Sequence, residues 1–153
     1  MNATFAIDPA DIAHALGLLC RYGGHVDRVC TAGPLSDLAY PFVVEFKALG
    51  SKGWSAISKR GLIKASPQYA DQISQYQSYL DLTNPALFFA VNADTMEMHL
   101  EMVPFDQARA QAASDRAVSI IKDSRAGAMR PRCTEDPGFY VCKGCAFRER
   151  CWR

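Results

Sequence analysis

The sequence predicts an α/β protein in which helices flank a small central mixed β-sheet. Two apolar runs with strand composition, YPFVVEFKAL and PALFFAVN, lie on either side of a segment whose apolar residues recur at helical spacing. A further run, MEMHLEMV, alternates apolar and polar residues and follows the short turn ADT, which predicts a β-hairpin. Strands and helices that alternate along one chain are typical of a layered α/β domain.

The first part of the chain predicts one helix and two strands. Asp8 and Pro9 form a helix start, and the two glycines after residue 22 end that helix. HVDRVCT is a short β-like run, and GPLSD is a turn. YPFVVEFKAL is mostly apolar, so we expect it in the middle of a sheet that is covered on both faces.

The second part predicts two more helices and a tail. Residues 50–64 have the composition of a loop with room for one short helix. Residues 105–127 predict a helix that is rich in alanine and polar on one face. After Pro67 a helix is indicated by apolar residues at helical spacing, which are Tyr69, Ile73, Tyr76 and Leu80. We therefore divide the chain into an N-terminal helix (1–23), a core (24–129) and a cysteine-bearing tail (130–153).

Size and charge restrict the classes of function. The chain has 153 residues, enough for one domain with a modest core, and its 17 basic and 16 acidic residues give a net charge of +1. No global field favours nucleic acid, so such a partner must meet a local basic patch. Two segments are basic, although such clusters are more often solvated surface than binding site; they contain Lys47, Lys52, Lys59, Arg60 and Lys64, and Arg130, Arg132, Lys143, Arg148, Arg150 and Arg153.

Neither a signal peptide nor a membrane span is expected. The N-terminus has no basic region followed by an apolar run, and no stretch approaches the about 18 apolar residues of a span. We expect a soluble, cytoplasmic protein without a membrane partner. Its six cysteines are then reduced thiols or metal ligands rather than disulfides.

The strand FVVEFKALG carries both signs of charge on one face. Because side chains alternate along a strand, Glu45 and Lys47 share one face, while Val44 and Phe46 share the other. A lone pair of this kind is usually a solvent-facing ion pair. Asp27, however, lies 18 residues earlier, where a β-turn-β unit brings the two carboxylates together. Two carboxylates can hold Mg²⁺ or Mn²⁺, and a lysine beside them can position a water or neutralise charge on phosphorus.

Four motifs follow one another along the chain: GHVD at 24–27, VVEFKA at 43–48, QISQY at 72–76 and CKGCAFRERC at 142–151. Together they resemble the PD-(D/E)xK nuclease superfamily, and most closely its RecB-like branch of CRISPR-associated and phage exonucleases. The resemblance covers about residues 24–152. It implies a restriction-endonuclease-like core with a C-terminal cysteine-ligated metal tail.

The resemblance assigns roles to the residues of the charged strand. Asp27 and Glu45 would be the ligands of Mg²⁺ or Mn²⁺, and the backbone carbonyl of Phe46 would complete the metal site. Lys47 would be the catalytic lysine. Asp37, in the turn GPLSD, is the rival acid and ranks below Asp27.

On the helix after Pro67, Gln72 and Tyr76 would approach the substrate backbone and steady the site. Their four-residue spacing places them on one helix face. Gln75 and Tyr79 repeat the same spacing, so this register stays open. His14, on the first helix, is a further candidate metal ligand, although a lone helix histidine is more often ordinary surface or core.

The tail contains a cysteine motif. Cys142, Cys145 and Cys151, with a fourth thiolate, suit tetrahedral Zn²⁺ or a [4Fe–4S] cluster. The resemblance implies an iron–sulfur cluster that pins the tail, with Zn²⁺ as the alternative. The fourth ligand is Cys133 or Cys20, and we favour Cys133 because local closure needs no long-range contact.

Two features depart from the family pattern. Arg28 follows the aspartate of GHVD, where the family often has glycine. The segment DIAHALGLLCRYGGHV also resembles the opening of phage HD-domain phosphohydrolases. Those enzymes need a His-Asp pair, which this chain lacks, so we do not favour an HD hydrolase.

The predicted function is a divalent-metal-dependent DNA nuclease, with exonuclease action on single- or double-stranded ends in phage or prophage recombination or DNA-end processing. A recombination protein is a candidate partner. Two alternatives remain open: a non-catalytic nucleic-acid-binding module braced by a four-cysteine metal centre, and a truncated inactive remnant. The sequence does not distinguish exo- from endonuclease action, DNA from RNA, or one oligomeric state from another.

Overall fold

The structure is a computed structural model that describes residues 4–6 and 23–153. The predicted first helix, with His14 and Cys20, lies outside the described residues. The described strands are β1 (Thr4–Ala6), β2 (Gly23–His25), β3 (Arg28–Cys30), β4 (Phe42–Leu49), β5 (Ala86–Asn92) and β6 (Met98–Val103). The described helices are α1 (Ser51–Arg60), α2 (Leu62–Ala65), α3 (Pro67–Tyr79), α4 (Gln107–Ala126), α5 (Tyr140–Lys143) and α6 (Arg148–Cys151).

A four-stranded mixed sheet lies at the centre of the fold, in the order β3-β4-β5-β6. β4 and β5 are parallel, and the two outer pairings are antiparallel. The prediction of an α/β fold with a small mixed sheet flanked by helices is therefore confirmed. β4 lies in the sheet interior as expected, and β5 and β6 form the predicted hairpin. β1 and β2 pair separately as a short antiparallel ribbon.

The segment 50–64, predicted as a loop with room for one short helix, is more helical than expected, because two helices occupy most of it. α1 begins after Gly50, and its first residue, Ser51, donates its amide to Asp94 Oδ2 at 3.0 Å. Ile57 on α1 is buried against the sheet with the core. Gly61 separates α1 from α2 and has φ +78°, a left-handed conformation that suits glycine. These tertiary contacts outweigh the weak helix preference of the glycines and serines in the segment.

The core lies between one face of the sheet and the helices α1, α2 and α3. β4 and β5 contribute their alternate residues to this face, and the pattern of buried and half-buried residues along β5 alternates strictly. The buried residues of this cluster are Val26, Val43, Ile57, Leu62, Ile73, Tyr76, Ala86, Phe88, Ala90 and Val103. The charged side chains of β4 point to this same helix-covered face.

As far as residues 4–6 and 23–153 show, the other face of β4 is not fully covered, which departs from the expectation that both faces are covered. Phe46 is 47% exposed and packs on Phe89, with ring centroids 5.5 Å apart. On β6 the apolar Met98 and Leu100 are exposed, while Glu101 points toward the helices. An apolar alternation does not show which of its two faces is buried, and here the polar residues of β6 occupy the covered face.

The chain divides into two compact units, the first ending at Ala117 and the second running from Val118 to Arg153. In the second unit, Arg130 pairs with Asp123, and Arg132 donates to the Cys151 carbonyl at 2.8 Å. No helix among the described residues is long and apolar enough to cross a bilayer.

Candidate active site

Asp27 lies at the bend between β2 and β3, beside the charged part of β4. The antiparallel register pairs Arg28 with Val44, which places Asp27 opposite Glu45. Asp27 Oδ2 accepts a hydrogen bond from the Phe46 amide at 2.8 Å. The Asp27 carboxylate thus takes the place of the backbone carbonyl that would accept this amide if β3 continued alongside β4. The structure brings the two acids of the predicted site to neighbouring positions.

Glu45 is buried, with 1% of its surface exposed. Its Oε1 accepts a hydrogen bond from Lys47 Nζ, while Oε2 is buried without a hydrogen-bond partner among the described residues. Burial raises the pKa of this carboxyl; the nearby ammonium of Lys47 lowers the pKa, and the charge of Asp27 raises it further. Glu45 is therefore an incompletely compensated buried acid.

Lys47 is held from two sides. Its ammonium pairs with Glu45 and lies 5.1 Å from the centroid of the Tyr69 ring, within the range of a cation–π contact. The side chain is 21% exposed, so the ammonium lies near the rim of the site rather than deep in the core. The sequence assigned Tyr69 only to the apolar stripe of its helix and gave no sign of this contact.

Gln72 and Tyr76 lie over the same site. Gln72 Nε2 donates to the Tyr76 hydroxyl at 2.8 Å, and Tyr76 is 6% exposed. Burial raises the pKa of Tyr76; the charge of Glu45 adds to this rise, and the Gln72 and Lys47 side chains oppose it. The phenol therefore lies within electrostatic range of the charged residues of β4.

The structure also distinguishes the two helix registers that the sequence left open. The Tyr79 hydroxyl donates to Ser114 Oγ on α4 at 3.0 Å, so this residue points to a neighbouring helix. Gln72 and Tyr76 occupy the face toward the charged strand. Asp37, the rival acid, is exposed in its turn and accepts a hydrogen bond from Ser36.

A second pair of polar residues, missed by sequence reasoning, lies on the same sheet face. The strand register aligns Glu45, Phe88 and Glu101 in one row across the sheet. Glu101 accepts the buried Leu62 amide at 2.9 Å and contacts His99 Nε2 at 3.2 Å. Only the strand register shows that Glu101 faces inward, because MEMHLEMV by itself predicts a polar, solvent-facing side there.

A divalent cation fits part of this site. Among the described residues, no three acidic, histidine or cysteine side chains converge closely enough to hold a metal ion. Asp27 and Glu45 supply two carboxylates, and the unpartnered Glu45 Oε2 lacks the positive partner that a cation would provide. Amide and carbonyl of one strand residue point to the same side, so the Phe46 carbonyl also faces the side of Asp27. A cleft of about 530 Å³ is lined by His25, Val26, Asp27, Arg28 and Phe46, without Glu45 or Lys47. Gln72 and Tyr76 line a separate cavity of about 270 Å³.

Arg28 takes the position where the resembling nucleases often have glycine. Its Nη1 donates to the Asp27 carbonyl at 2.8 Å, and the residue is exposed. The guanidinium therefore lies beside the backbone of the acid. It adds positive charge to the lining of the cleft.

The tail cysteines are free thiols, and Cys133 and Cys151 lie near enough to Cys142 to affect its pKa. Cys142 is buried, and burial raises the pKa of its thiol; nearby Cys133 and Cys151 raise the pKa further, while Trp152 lowers it. Cys145 is exposed. The described cysteines do not form a group of three ligands close enough for a metal ion. They are near one another but do not form a preassembled metal centre.

Comparison of the chain with protein-family models, with curated proteins and with solved structures gave no match. The geometry of the site and the ordered motifs therefore carry the functional argument.

Proposed function

We propose that the chain is a divalent-metal-dependent DNA nuclease with a restriction-endonuclease-like core. The observation that carries the proposal is the buried Glu45, whose Oε2 has no partner among the described residues, next to the carboxylate of Asp27. Asp27, Glu45 and the Phe46 carbonyl would hold Mg²⁺ or Mn²⁺. The action is that of an exonuclease in phage or prophage recombination or in DNA-end processing.

The energetic cost of burying Glu45 supports a site that binds a cation. Leaving a buried polar atom without a partner costs roughly 1–3 kcal/mol, and more if the group is charged. Lys47 compensates one oxygen only, and the charge of Asp27 works against ionisation of Glu45. Acids kept in such surroundings are more frequent at functional sites than in structural cores. A cation between the two carboxylates would offset both the repulsion and the missing partner.

The residues around the acids suit phosphodiester hydrolysis. When bound, a divalent ion supplies Lewis-acid polarisation of the phosphoryl group and lowers the pKa of a bound water. Lys47, at the rim of the site, orients the attacking water or neutralises charge that develops on the phosphoryl oxygens. The attacking water gives one proton to bulk solvent as its oxygen bonds to phosphorus, the phosphorus–oxygen bond to the leaving strand breaks, and the leaving oxygen takes a proton from solvent. Gln72 and Tyr76 orient the substrate backbone above this point.

One observation favours the non-catalytic alternative, a nucleic-acid-binding module. Lys47 already pairs with Glu45, so the buried acid has a counter-charge without any metal. In that case the charged residues of β4 stabilise the fold and take no part in catalysis. DNA binding is then retained when Glu45 is replaced by an uncharged residue. An inactive remnant would neither bind nor cut.

The deciding experiment compares wild type with Lys47→Ala on end-labelled linear and closed circular DNA in Mg²⁺, Mn²⁺ and EDTA. We expect metal-dependent loss of linear DNA, reduced roughly 10²–10³-fold in Lys47→Ala. Lys122→Ala, which removes an exposed lysine of α4, is the matched control and retains full activity. Cutting of the circle as well would make the protein an endonuclease. If folded wild type leaves every substrate intact in both metals, the catalytic proposal fails.

We further propose that Cys133, Cys142, Cys145 and Cys151 hold a structural [4Fe–4S] cluster, or Zn²⁺, in the tail. Two observations support this centre: the spacing of the thiols along the chain, and the effect of Cys133 and Cys151 on the pKa of Cys142. Loading would draw in the exposed Cys145. The centre carries no part of the hydrolysis.

A further inference from the structure

We propose that α1 and α2 present a surface that binds the phosphate backbone of the nucleic acid outside the cleavage site. We call this surface the basic arm and define it by four exposed side chains, Lys52, Lys59, Arg60 and Lys64. The inference rests on the proposed nuclease function and adds to it the residues that hold the substrate. Its test is separate from the test of cleavage.

The arm belongs to a stretch of chain without acidic residues. Residues 46–70 contain five lysines and arginines, and no aspartate or glutamate. The whole chain, in contrast, has nearly equal numbers of both signs, 17 and 16. The local excess therefore creates a positive field that the net charge of +1 conceals.

The four cations are also unpaired. Within the described residues, none of Lys52, Lys59, Arg60 and Lys64 forms an ion pair or a hydrogen bond through its side chain. Elsewhere in the same unit, Arg109 pairs with Asp71 and Asp106. Asp94 and Glu101 reach this segment from other elements, but they accept hydrogen bonds from the Ser51 and Leu62 amides rather than pairing with the four cations. A solvated helix face usually interleaves both signs, so a face whose cations are unpaired is better suited to a polyanion.

The geometry of α1 turns these charges outward together. Lys52 and Lys59 are seven residues apart, almost two full turns, and so lie along one side of the helix about 10.5 Å apart. The opposite side carries Ile57 and Trp54, which pack in the core. Duplex DNA presents about one negative charge per 1.7 Å of axis, so this stripe spans roughly six phosphate charges.

The arm is fixed to the same sheet face as the candidate active site. Only Gly50 separates α1 from β4, the strand that carries Glu45 and Lys47. At the other end, Glu101 holds the Leu62 amide at the start of α2. Glu101 lies two strands from Glu45 in the same row, about 10 Å away between Cα atoms. Both ends of the arm are therefore anchored to the sheet that carries the two acids.

Nucleic acid fits this surface better than an anionic membrane does. A helix that binds a bilayer surface buries an apolar face in the headgroup region. The apolar side of α1 is already used in the core, and Ile63, at 41%, is the exposed large apolar residue of the two helices. The surface thus offers charge without an apolar anchor.

The test measures DNA binding against salt. We replace the arm residues together (Lys52→Gln, Lys59→Gln, Arg60→Gln and Lys64→Gln) and titrate a labelled 20-base-pair duplex by fluorescence anisotropy, in EDTA so that no cleavage occurs. Each phosphate contact adds about 0.9 to the slope of log K against log salt. We expect the slope to become shallower by about 3 to 4, and affinity at 0.1 M salt to fall at least roughly 100-fold.

The matched control is Arg116→Gln with Lys122→Gln, two exposed cations of α4, a helix that also carries acids. It should leave the slope within one unit of wild type, and both variants should keep the wild-type melting temperature. An unchanged slope in the arm variant overturns the proposal. An equal decrease of the slope and of DNA affinity in the control variant also overturns it. So does tighter binding of wild type to phosphatidylserine vesicles than to DNA.

Cleavage separates the two proposals. At saturating DNA and in Mg²⁺, the arm variant should retain the wild-type single-turnover rate, because the arm does not touch the reacting atoms. If DNA binding by wild type depends on the basic arm but no DNA is cleaved, the nuclease proposal is refuted and the proposal of the basic arm is supported. If cleavage depends on Lys47 but DNA binding does not change when the four cations are replaced, the proposal of the basic arm is refuted and the nuclease proposal is kept.

Discussion

Replacing Glu45 with glutamine separates the stability of the fold from the use of the site. The change keeps the shape of the side chain and removes its charge. In the folded protein, Glu45 Oε2 is buried without a partner among the described residues, which costs roughly 1–3 kcal/mol. The ion pair with Lys47 does not offset this cost in full, because the pKa of Glu45 stays raised despite that pair. Glutamine leaves a neutral rather than a charged group buried, so we expect Glu45→Gln, in EDTA at pH 8, to be more stable than wild type by about 1 kcal/mol.

The pH dependence follows from the direction of the pKa shift. Burial raises the folded-state pKa of Glu45 above its ordinary value of 4.5. Between the unfolded and the folded pKa the native state holds the extra proton, so wild-type stability falls as pH rises through that window. The gain of Glu45→Gln should be absent below pH 4.5 and should reach its full size above the folded pKa.

Metal should reverse the order of stability. A ligand present at about 100 times its dissociation constant stabilises the native state by about 2.7 kcal/mol. Wild type should gain this stability in Mn²⁺, and Glu45→Gln should gain little. In a chain of this size 1 kcal/mol corresponds to a shift of about 3 °C in melting temperature, which calorimetry resolves.

Glu97→Gln is the matched control for the loss of a charge, because Glu97 is exposed on the β5–β6 hairpin. It should change neither the stability in EDTA nor the response to Mn²⁺. A loss of more than 2 kcal/mol by Glu45→Gln in EDTA would show that the Lys47 ion pair dominates and that the burial argument is wrong. Equal stabilisation of wild type and variant by Mn²⁺ would refute a metal site at Glu45.

Two further predictions concern other parts of the chain. Glu101→Ala leaves the buried Leu62 amide without its acceptor and should lower the free energy of unfolding by about 2 kcal/mol in urea titrations. Glu101→Gln, which keeps an acceptor, should lose less than half of that; equal losses would contradict this role. Cys142→Ser should abolish bound iron or zinc, measured by elemental analysis of anaerobically purified protein, while Cys30→Ser should retain it. Metal retained in Cys142→Ser would exclude the proposed tail centre.

The local pattern of the sequence was sufficient for the main elements. Strict alternation and apolar runs predicted β4, β5, β6 and the hairpin, since side-chain direction along a strand follows from backbone geometry alone. The same rule placed Glu45 and Lys47 on one face. Helical spacing and Pro67 located α3, which begins at that proline as predicted.

The helix content of segment 50–64 was underestimated, since the prediction of a loop with one short helix followed from the weak helix preference of its glycines and serines. The segment is helical because Ile57 is buried in the core and the Leu62 amide donates a hydrogen bond to Glu101. Both interactions involve residues that are distant in sequence. The exposed apolar side of β6 was missed for a related reason, because the face that is buried depends on which neighbour covers it.

The sequence by itself determined the main strands, the helix after Pro67, the charged strand and the candidate acids, because these depend on the order and spacing of neighbouring residues. Tertiary structure decided that Asp27 binds the Phe46 amide, that Glu45 is buried, and that Tyr76 rather than Tyr79 lies over the charged strand. Those facts depend on strand register and helix packing. Both are set by the free energy of burying the whole core, which no local stretch of sequence contains.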